Sequence, residues 1–280
     1  MLVKRIMSKK VISVSVPGNR EKALEIMRKE KVSAIPVTKG DTNMLVGLIT
    51  RSDLINNPDE EQIAMLMSRD LKTVNPEDEL KEAAKTMIDN DIRRVPVVND
   101  DYELVGIITS FDIVSLALTK LDIEDSVENY MITTVPTTWE DTPLNVAFES
   151  MKQFGLKSIL GLNNLGKLTG ILTETDFIAE SEIISEKTEH SSTVGTEGDK
   201  WSWDSTSVLY IEKNRLRFTD KLVKDVATEK VETANAKTKV SECAKKMKAD
   251  NIEQIPVTDV EGELIGLVRA SDLIKAIAND

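Results

Sequence analysis

A single cysteine, Cys243, and a single histidine, His190, are all that 280 residues supply of those two types. That scarcity excludes an internal disulfide and a zinc site of the Cys/His kind, and it fits a reducing, cytoplasmic setting. Aromatic residues are few, at 4%, and no apolar run approaches the roughly 18 residues that a membrane-spanning helix needs. Residues 1–8 carry Lys4 and Arg5 among their apolar side chains, so they do not read as the apolar stretch of an export signal. Positive charge is in deficit, with a formal net charge of −12. So acidic a chain repels a nucleic-acid backbone or an anionic membrane; a nucleic-acid-binding regulator is the weakest of the regulatory readings, and any bound anion has to be held by local geometry. Catalytic patterns are missing too: there is no nucleophile–base pair, no metal-ligand cluster, no P-loop and no GxGxxG, which sets an enzyme aside.

What the chain does have is self-similarity. Ser33-Ala34-Ile35-Pro36-Val37 returns as Arg93-Arg94-Val95-Pro96-Val97, as Lys157-Ser158-Ile159-Leu160-Gly161 and as Glu253-Gln254-Ile255-Pro256-Val257. In each copy the proline position lies nine residues after a methionine (Met27, Met87, Met151, Met247) that closes a stretch with apolar residues at helical spacing, as in Leu80, Ala83 and Ala84. Downstream, Gly47, Gly106, Gly170 and Gly266 each open a second apolar run, and an aspartate follows six residues later: Asp53, Asp112, Asp176 and Asp272. Polar turns such as Lys39-Gly40-Asp41 separate the two runs, as a hairpin requires.

Each copy therefore reads as a βαββα unit, and the chain as an α+β protein. A leading segment and short strand (residues 11–16 in the first copy) precede an amphipathic helix, two hairpin strands and a second helix after the aspartate. Successive aspartates are 59, 64 and 96 residues apart, so an insertion separates copies three and four. The copies occupy residues 1–60, 61–122, 123–184 and 220–280, with the insertion at 185–219. Within it, residues 185–200, including His190, read as a mobile polar loop, and residues 208–218 as two short strands around a turn, preceded by Trp201 and Trp203. Cys243 lies on an apolar helix stripe and reads as a packing residue.

An apolar residue and proline ahead of a strand, then a Gly-apolar-apolar-Thr strand ending in Thr-x-x-Asp, resembles the cystathionine-β-synthase (CBS) domain family. The resemblance covers nearly the whole chain apart from the insertion. It implies that copies one and two, and copies three and four, pack through their sheets into pseudo-twofold modules, which pair again into a disc within one chain or across a homodimer. It also implies a non-catalytic regulator that holds AMP, ADP, ATP or an S-adenosylmethionine-type adenosyl compound in the cleft of a pair, and that an unidentified partner protein reads the bound state.

The residues make a case of their own. A strand that ends in Thr-x-x-Asp and runs into a helix brings unpaired helix N–H groups beside the aspartate, a position suited to phosphate. A carboxylate can accept both hydroxyls of a ribose, so Asp53, Asp112, Asp176 and Asp272 are the candidate sugar ligands, with Thr50, Thr109 and Thr173 reaching a first phosphate. An adenine edge needs an apolar slot rimmed by backbone groups. Ala34, Ile35 and Pro36, with Arg94, Val95 and Pro96, supply such segments, and the family resemblance adds Ser13 and Thr73 on facing strands. Arg93 and Arg94 flank the second slot, with Arg51 and Lys157 as further cations near the clefts.

The same pattern is also an ordinary helix cap, since Ser, Thr and Asp are the preferred N-cap residues, and repetition of the fold repeats its caps. Copy three departs from the pattern with Leu160 and Gly161 at the proline step, and copy four carries Arg269 in place of the threonine. An assembly scaffold with vestigial clefts is therefore the alternative to a ligand sensor.

Overall fold

The computed structural model describes residues 1–57, 59–193, 206–218 and 220–278. Copy one comprises β1 (Val14–Val16), α1 (Arg20–Glu30), β2 (Ala34–Lys39), β3 (Leu45–Thr50) and α2 (Arg51–Asn56). Copy two comprises α3 (Ile63–Leu66), α4 (Leu80–Asp89), β4 (Arg94–Val98), β5 (Leu104–Thr109) and α5 (Ser110–Leu116). Copy three comprises β6 (Thr137–Trp139), α6 (Leu144–Gln153), β7 (Ser158–Leu162), β8 (Leu168–Thr173) and α7 (Glu174–Ala179). A pair of long strands, β9 (Ser181–Thr193) and β10 (Thr206–Phe218), follows. Copy four comprises α8 (Val223–Val226), β11 (Ala234–Asn235), α9 (Val240–Asp250), β12 (Gln254–Thr258), β13 (Leu264–Arg269), α10 (Ala270–Leu273) and α11 (Lys275–Ala278).

The helical stripe seen in the sequence is the buried face: α4 buries Leu80, Ala83, Ala84 and Met87, and α9 buries Val240, Cys243, Ala244 and Met247. All four hairpins are antiparallel and share one register, pairing Ala34 with Thr50, Arg94 with Thr109, Ser158 with Thr173 and Gln254 with Arg269. Each also carries an irregularity between the first and second residues after the proline position, as between Val37 and Thr38.

Within each pair the leading segments are exchanged. Val3 and Ile6, from the start of the chain, lie in the core of copy two, while Ile63, Leu66 and Met67 lie in the core of copy one. Val127 likewise packs into the core that holds copy four, and Val223 into that of copy three. The exchanged segments run along the outer hairpin strand, through the bridges Ser8 to Ile107, Leu48 to Ser68, Ile132 to Leu267 and Ile171 to Thr228. This explains the glycine that opens each second run. A Cβ on Gly106 would come within 2.6 Å of the Met7 sulfur, one on Gly266 within 2.7 Å of the Met131 sulfur, and one on Gly170 within 2.8 Å of the Ala227 Cβ. Only a residue without a side chain lets the exchanged segment close in.

The two pairs meet asymmetrically. Copies two and four share one hydrophobic core, in which Ile113, Val114 and Leu118 join Cys243, Ala244, Met247 and Leu273. Copies one and three keep distinct cores. Across that side Arg51 donates to Thr175, Lys157 donates to Ser52, and the Ser52 hydroxyl donates to Glu174 at 2.6 Å.

The insertion differs from the expectation. Residues 185–193 are not loop but part of β9, with His190 opposite Leu209, and residues 208–218 run as one strand through the position where a turn was expected. A ladder satisfies backbone groups whatever the side chains, and β-branched Thr188, Thr193, Val208 and Ile211 favour an extended chain. Residues 194–200, Trp201 and Trp203 lie outside the described residues.

Candidate functional site

Three of the four strand-to-helix junctions are built alike. One oxygen of Asp53, Oδ2, accepts from the Thr50 N–H at 2.7 Å and from the Thr50 hydroxyl at 2.7 Å. Asp112 Oδ2 accepts from Thr109 at 2.8 and 2.7 Å, and Asp176 Oδ2 from Thr173 at 2.7 and 2.8 Å. In all three the other oxygen, Oδ1, takes no hydrogen bond from a described residue. Capping and ligand contact, set against one another in the sequence, are therefore compatible in a single carboxylate. The threonine hydroxyls fare differently: the proton expected to reach a phosphate is already given to the aspartate. The helices that follow are also short, six residues in α2 and α7 and seven in α5, so their N-termini offer little dipole to an anion.

The fourth junction is filled from within. Arg269 donates to Asp272 through Nε at 2.7 Å and through Nη2 at 3.0 Å, and Lys275 lies 3.3 Å from the same carboxylate. Asp272 is 2% exposed, and both of its oxygens are engaged. This bidentate pair leaves no oxygen for a sugar.

The proline step decides the other edge of each cleft. In copies one, two and four, parallel pairing with the leading segment begins at the valine after the proline: Val14 with Val37, Val74 with Val97 and Ala234 with Val257. A proline has no N–H to extend the ladder backwards. In copy three Leu160 has one, and donates it to the Pro136 carbonyl at 3.0 Å, so the ladder starts one residue earlier at Thr137 with Leu160. The segment facing the strand is thereby drawn in. Ser13 and Thr73 sit just before Val14 and Val74, alongside Pro36 and Pro96; Ser13 is exposed and Thr73 half-buried. Ala34, Pro36 and Pro96 are buried, and the Ile35 and Val95 side chains are sealed in the cores, which leaves only their main chain for a ligand.

A chain-wide comparison agrees with the fourfold reading. The profile of the CBS domain matches residues 3–60, 62–118, 127–182 and 223–279. The chain belongs to the CBS-domain family. The uncharacterized protein MJ1225 of Methanocaldococcus jannaschii is 23% identical over 297 residues, covering 99% of this chain and 99% of its own. Its crystal structure superposes with a TM-score of 0.78 at 21% identity over 99% of this chain and 100% of that one. The crystal structure of a conserved protein from Pyrococcus horikoshii gives a TM-score of 0.67 at 29% identity, over 99% of this chain and 100% of that one.

Where the CBS repeats meet, one backbone bond per repeat joins the residue before the first hairpin strand to the residue after the threonine position. Arg51 N–H donates to the Ser33 carbonyl at 3.1 Å, Ser110 to Arg93 at 2.8 Å, Glu174 to Lys157 at 3.3 Å and Ala270 to Glu253 at 2.7 Å. These positions bring Arg51, Arg93, Lys157, Glu174 and Glu253 to the contact between the pairs, next to Arg94. Lys157 lies 3.1 Å from Glu174 and Arg93 lies 3.5 Å from Glu253. Burial, followed by repulsion from Arg93, brings the Arg94 guanidinium down to about 10, and burial lowers that of Arg51. Burial pushes the Asp112 carboxyl up, against the hydrogen bonds from Thr109 and with a further rise from Glu253. Glu174, Glu253, Ser52 and Thr175 were missed in the sequence. A signal for Glu174 and Glu253 was available: the residue after the threonine position and the residue three before the proline position change charge from copy to copy; Ser52 and Thr175 carry no such mark.

Among the described residues no group of three His, Cys, Asp or Glu side chains is placed to hold a metal ion, and no helix is long and apolar enough to cross a membrane.

Proposed function

We propose that this CBS-domain protein is a non-catalytic sensor that binds an adenine nucleotide or related adenosyl compound in the two clefts of its first pair, repeats one and two. The observation that carries the reading is the free Oδ1 of Asp53 and of Asp112, each beside an intact proline step, with Arg51 following Thr50 at the first junction and Arg94 paired with Thr109 at the second. The ribose diol donates to the carboxylate, the adenine edge meets main-chain groups left unpaired by Pro36 and Pro96, and phosphate or another 5′ substituent points to the arginines. Thr50 and Thr109 act by orienting the aspartates. Binding shifts the packing of the two pairs, which a partner protein reads, by no more than the ligand's difference in affinity for the two arrangements.

Repeats three and four are closed for different reasons, Leu160 at the base edge of one and Arg269 at the sugar position of the other. Asp176 retains a free oxygen, and Asp272 has none. These closures favour a second reading for that pair alone, in which it serves as a scaffold. Titration calorimetry with AMP, ADP, ATP, S-adenosylmethionine and methylthioadenosine tests the proposal. Two equivalents per chain are expected for the preferred ligand. Silence with all five leaves the scaffold reading for the entire chain.

A further inference from the structure

The contact between the pairs holds two acidic side chains for which a purely phosphate-binding chamber has no use. Both come from the second pair. Glu174 accepts from Ser52 at 2.6 Å and from Lys157 at 3.1 Å, and its side chain is 19% exposed. Glu253 faces Arg93 at 3.5 Å. Each also supports the charged state of Arg51 and of Arg94, which places both carboxylates within electrostatic reach of the same buried arginines. Four cations, Arg51, Arg93, Arg94 and Lys157, thus face these two carboxylates, and Asp176 is a further acidic group acting on Arg51.

A nucleoside monophosphate brings a charge of about −2 at neutral pH. Each further phosphate has to draw a cation away from Glu174 or Glu253, or else bear the repulsion of the carboxylate in a partly desolvated space. A positively charged 5′ substituent, such as a sulfonium, gains from the same two groups.

We propose that Glu174 and Glu253 determine specificity in this chamber: contributed by the pair whose clefts are closed, they limit the negative charge that the open pair accepts, favouring a monophosphate or a cationic adenosyl compound over a triphosphate. The inference rests on the sensor reading above. Its test is titration of the wild type, Glu174→Gln, Glu253→Gln and the double variant with AMP, ATP and S-adenosylmethionine, with and without Mg²⁺. Each substitution is expected to raise the ratio of ATP to AMP affinity about three- to tenfold, the size of one charge repulsion across several ångströms of half-solvated space, and to weaken S-adenosylmethionine. Opposite shifts for an anionic and a cationic ligand cannot arise from a folding defect. An affinity ratio unchanged across the four proteins overturns the inference and leaves the sensor reading standing. An ATP affinity that needs Mg²⁺ and falls in the variants also overturns it, because the carboxylates would then be holding metal. If none of the three ligands binds any of the four proteins, the sensor reading itself fails, and the inference with it.

Discussion

Substituting Asp53 and Asp112 first by asparagine and then by alanine separates the work of a cap from that of a ligand contact. The asparagine amide oxygen can still accept from the threonine N–H and hydroxyl that now bond Oδ2 at 2.7 to 2.8 Å, so the helix starts survive. Its other atom becomes an NH₂ donor, which a ribose hydroxyl cannot use as the acceptor Oδ1 now provides. Alanine removes the ligand contact and the aspartate's half of the capping box, the Thr50 and Thr109 hydroxyls still accepting from the N–H three residues on, and costs about 1 kcal/mol per site. A ligand present at a hundredfold over its Kd stabilises by about 2.7 kcal/mol per site, about 5.4 kcal/mol for the two clefts, which for a chain of this size is a rise of about 10 °C in Tm. The asparagine double variant should therefore melt near the wild type without ligand and lose the rise; the alanine double variant should melt about 4 °C lower and lose it too. Sign matters at Asp112. Its folded pKa is raised, so its contribution to stability is present below the unfolded value and lost as pH rises through the folded one, making the charge a liability at neutral pH. Asp112→Asn should accordingly cost less stability than Asp53→Asn. Thermal unfolding with and without AMP reads all of this, and an asparagine double variant that keeps the full ligand-induced rise refutes the assignment of Oδ1 to the sugar.

Other expectations follow from the same geometry. Leu160→Pro removes the N–H that bonds Pro136 at 3.0 Å, and should reopen the third cleft at a stability cost of about 1 kcal/mol, visible as a third calorimetric equivalent; an unchanged stoichiometry counts against the proline-step argument. Gly170→Ala should destabilise by about 1–3 kcal/mol and by more than Gly106→Ala, because the Ala227 Cβ cannot move aside while the Met7 sulfur can; urea midpoints in the reverse order would contradict the exchanged-segment explanation. Burial drives the Cys243 thiol up to about 12, so it should resist a disulfide reagent at pH 8 in the native protein and react fully in denaturant; a fast native reaction would show the shared core of repeats two and four to be open.

Elements and their repetition were readable without coordinates because they are local. The stripe at Leu80, Ala83, Ala84 and Met87, the hairpin turns and the Thr-x-x-Asp junctions depend on periodicity and capping within one copy, and four copies in register let each confirm the rest. The insertion misled for the same reason: residues 185–193 have a loop's composition, and they extend because a distant strand, residues 206–218, offers them a ladder. Residues far apart in the chain decided what local pattern left open. The exchange of leading segments, which gives Gly47, Gly106, Gly170 and Gly266 their reason, joins copies through contacts that no single copy contains. Whether a given aspartate has an oxygen to spare depended on its neighbours in space, free beside Thr50 and Thr109 and consumed beside Arg269 and Lys275. The meeting of Arg51, Arg93 and Lys157 with Glu174 and Glu253 belongs to the same class, since charge interactions act across space and are set by which repeats face one another.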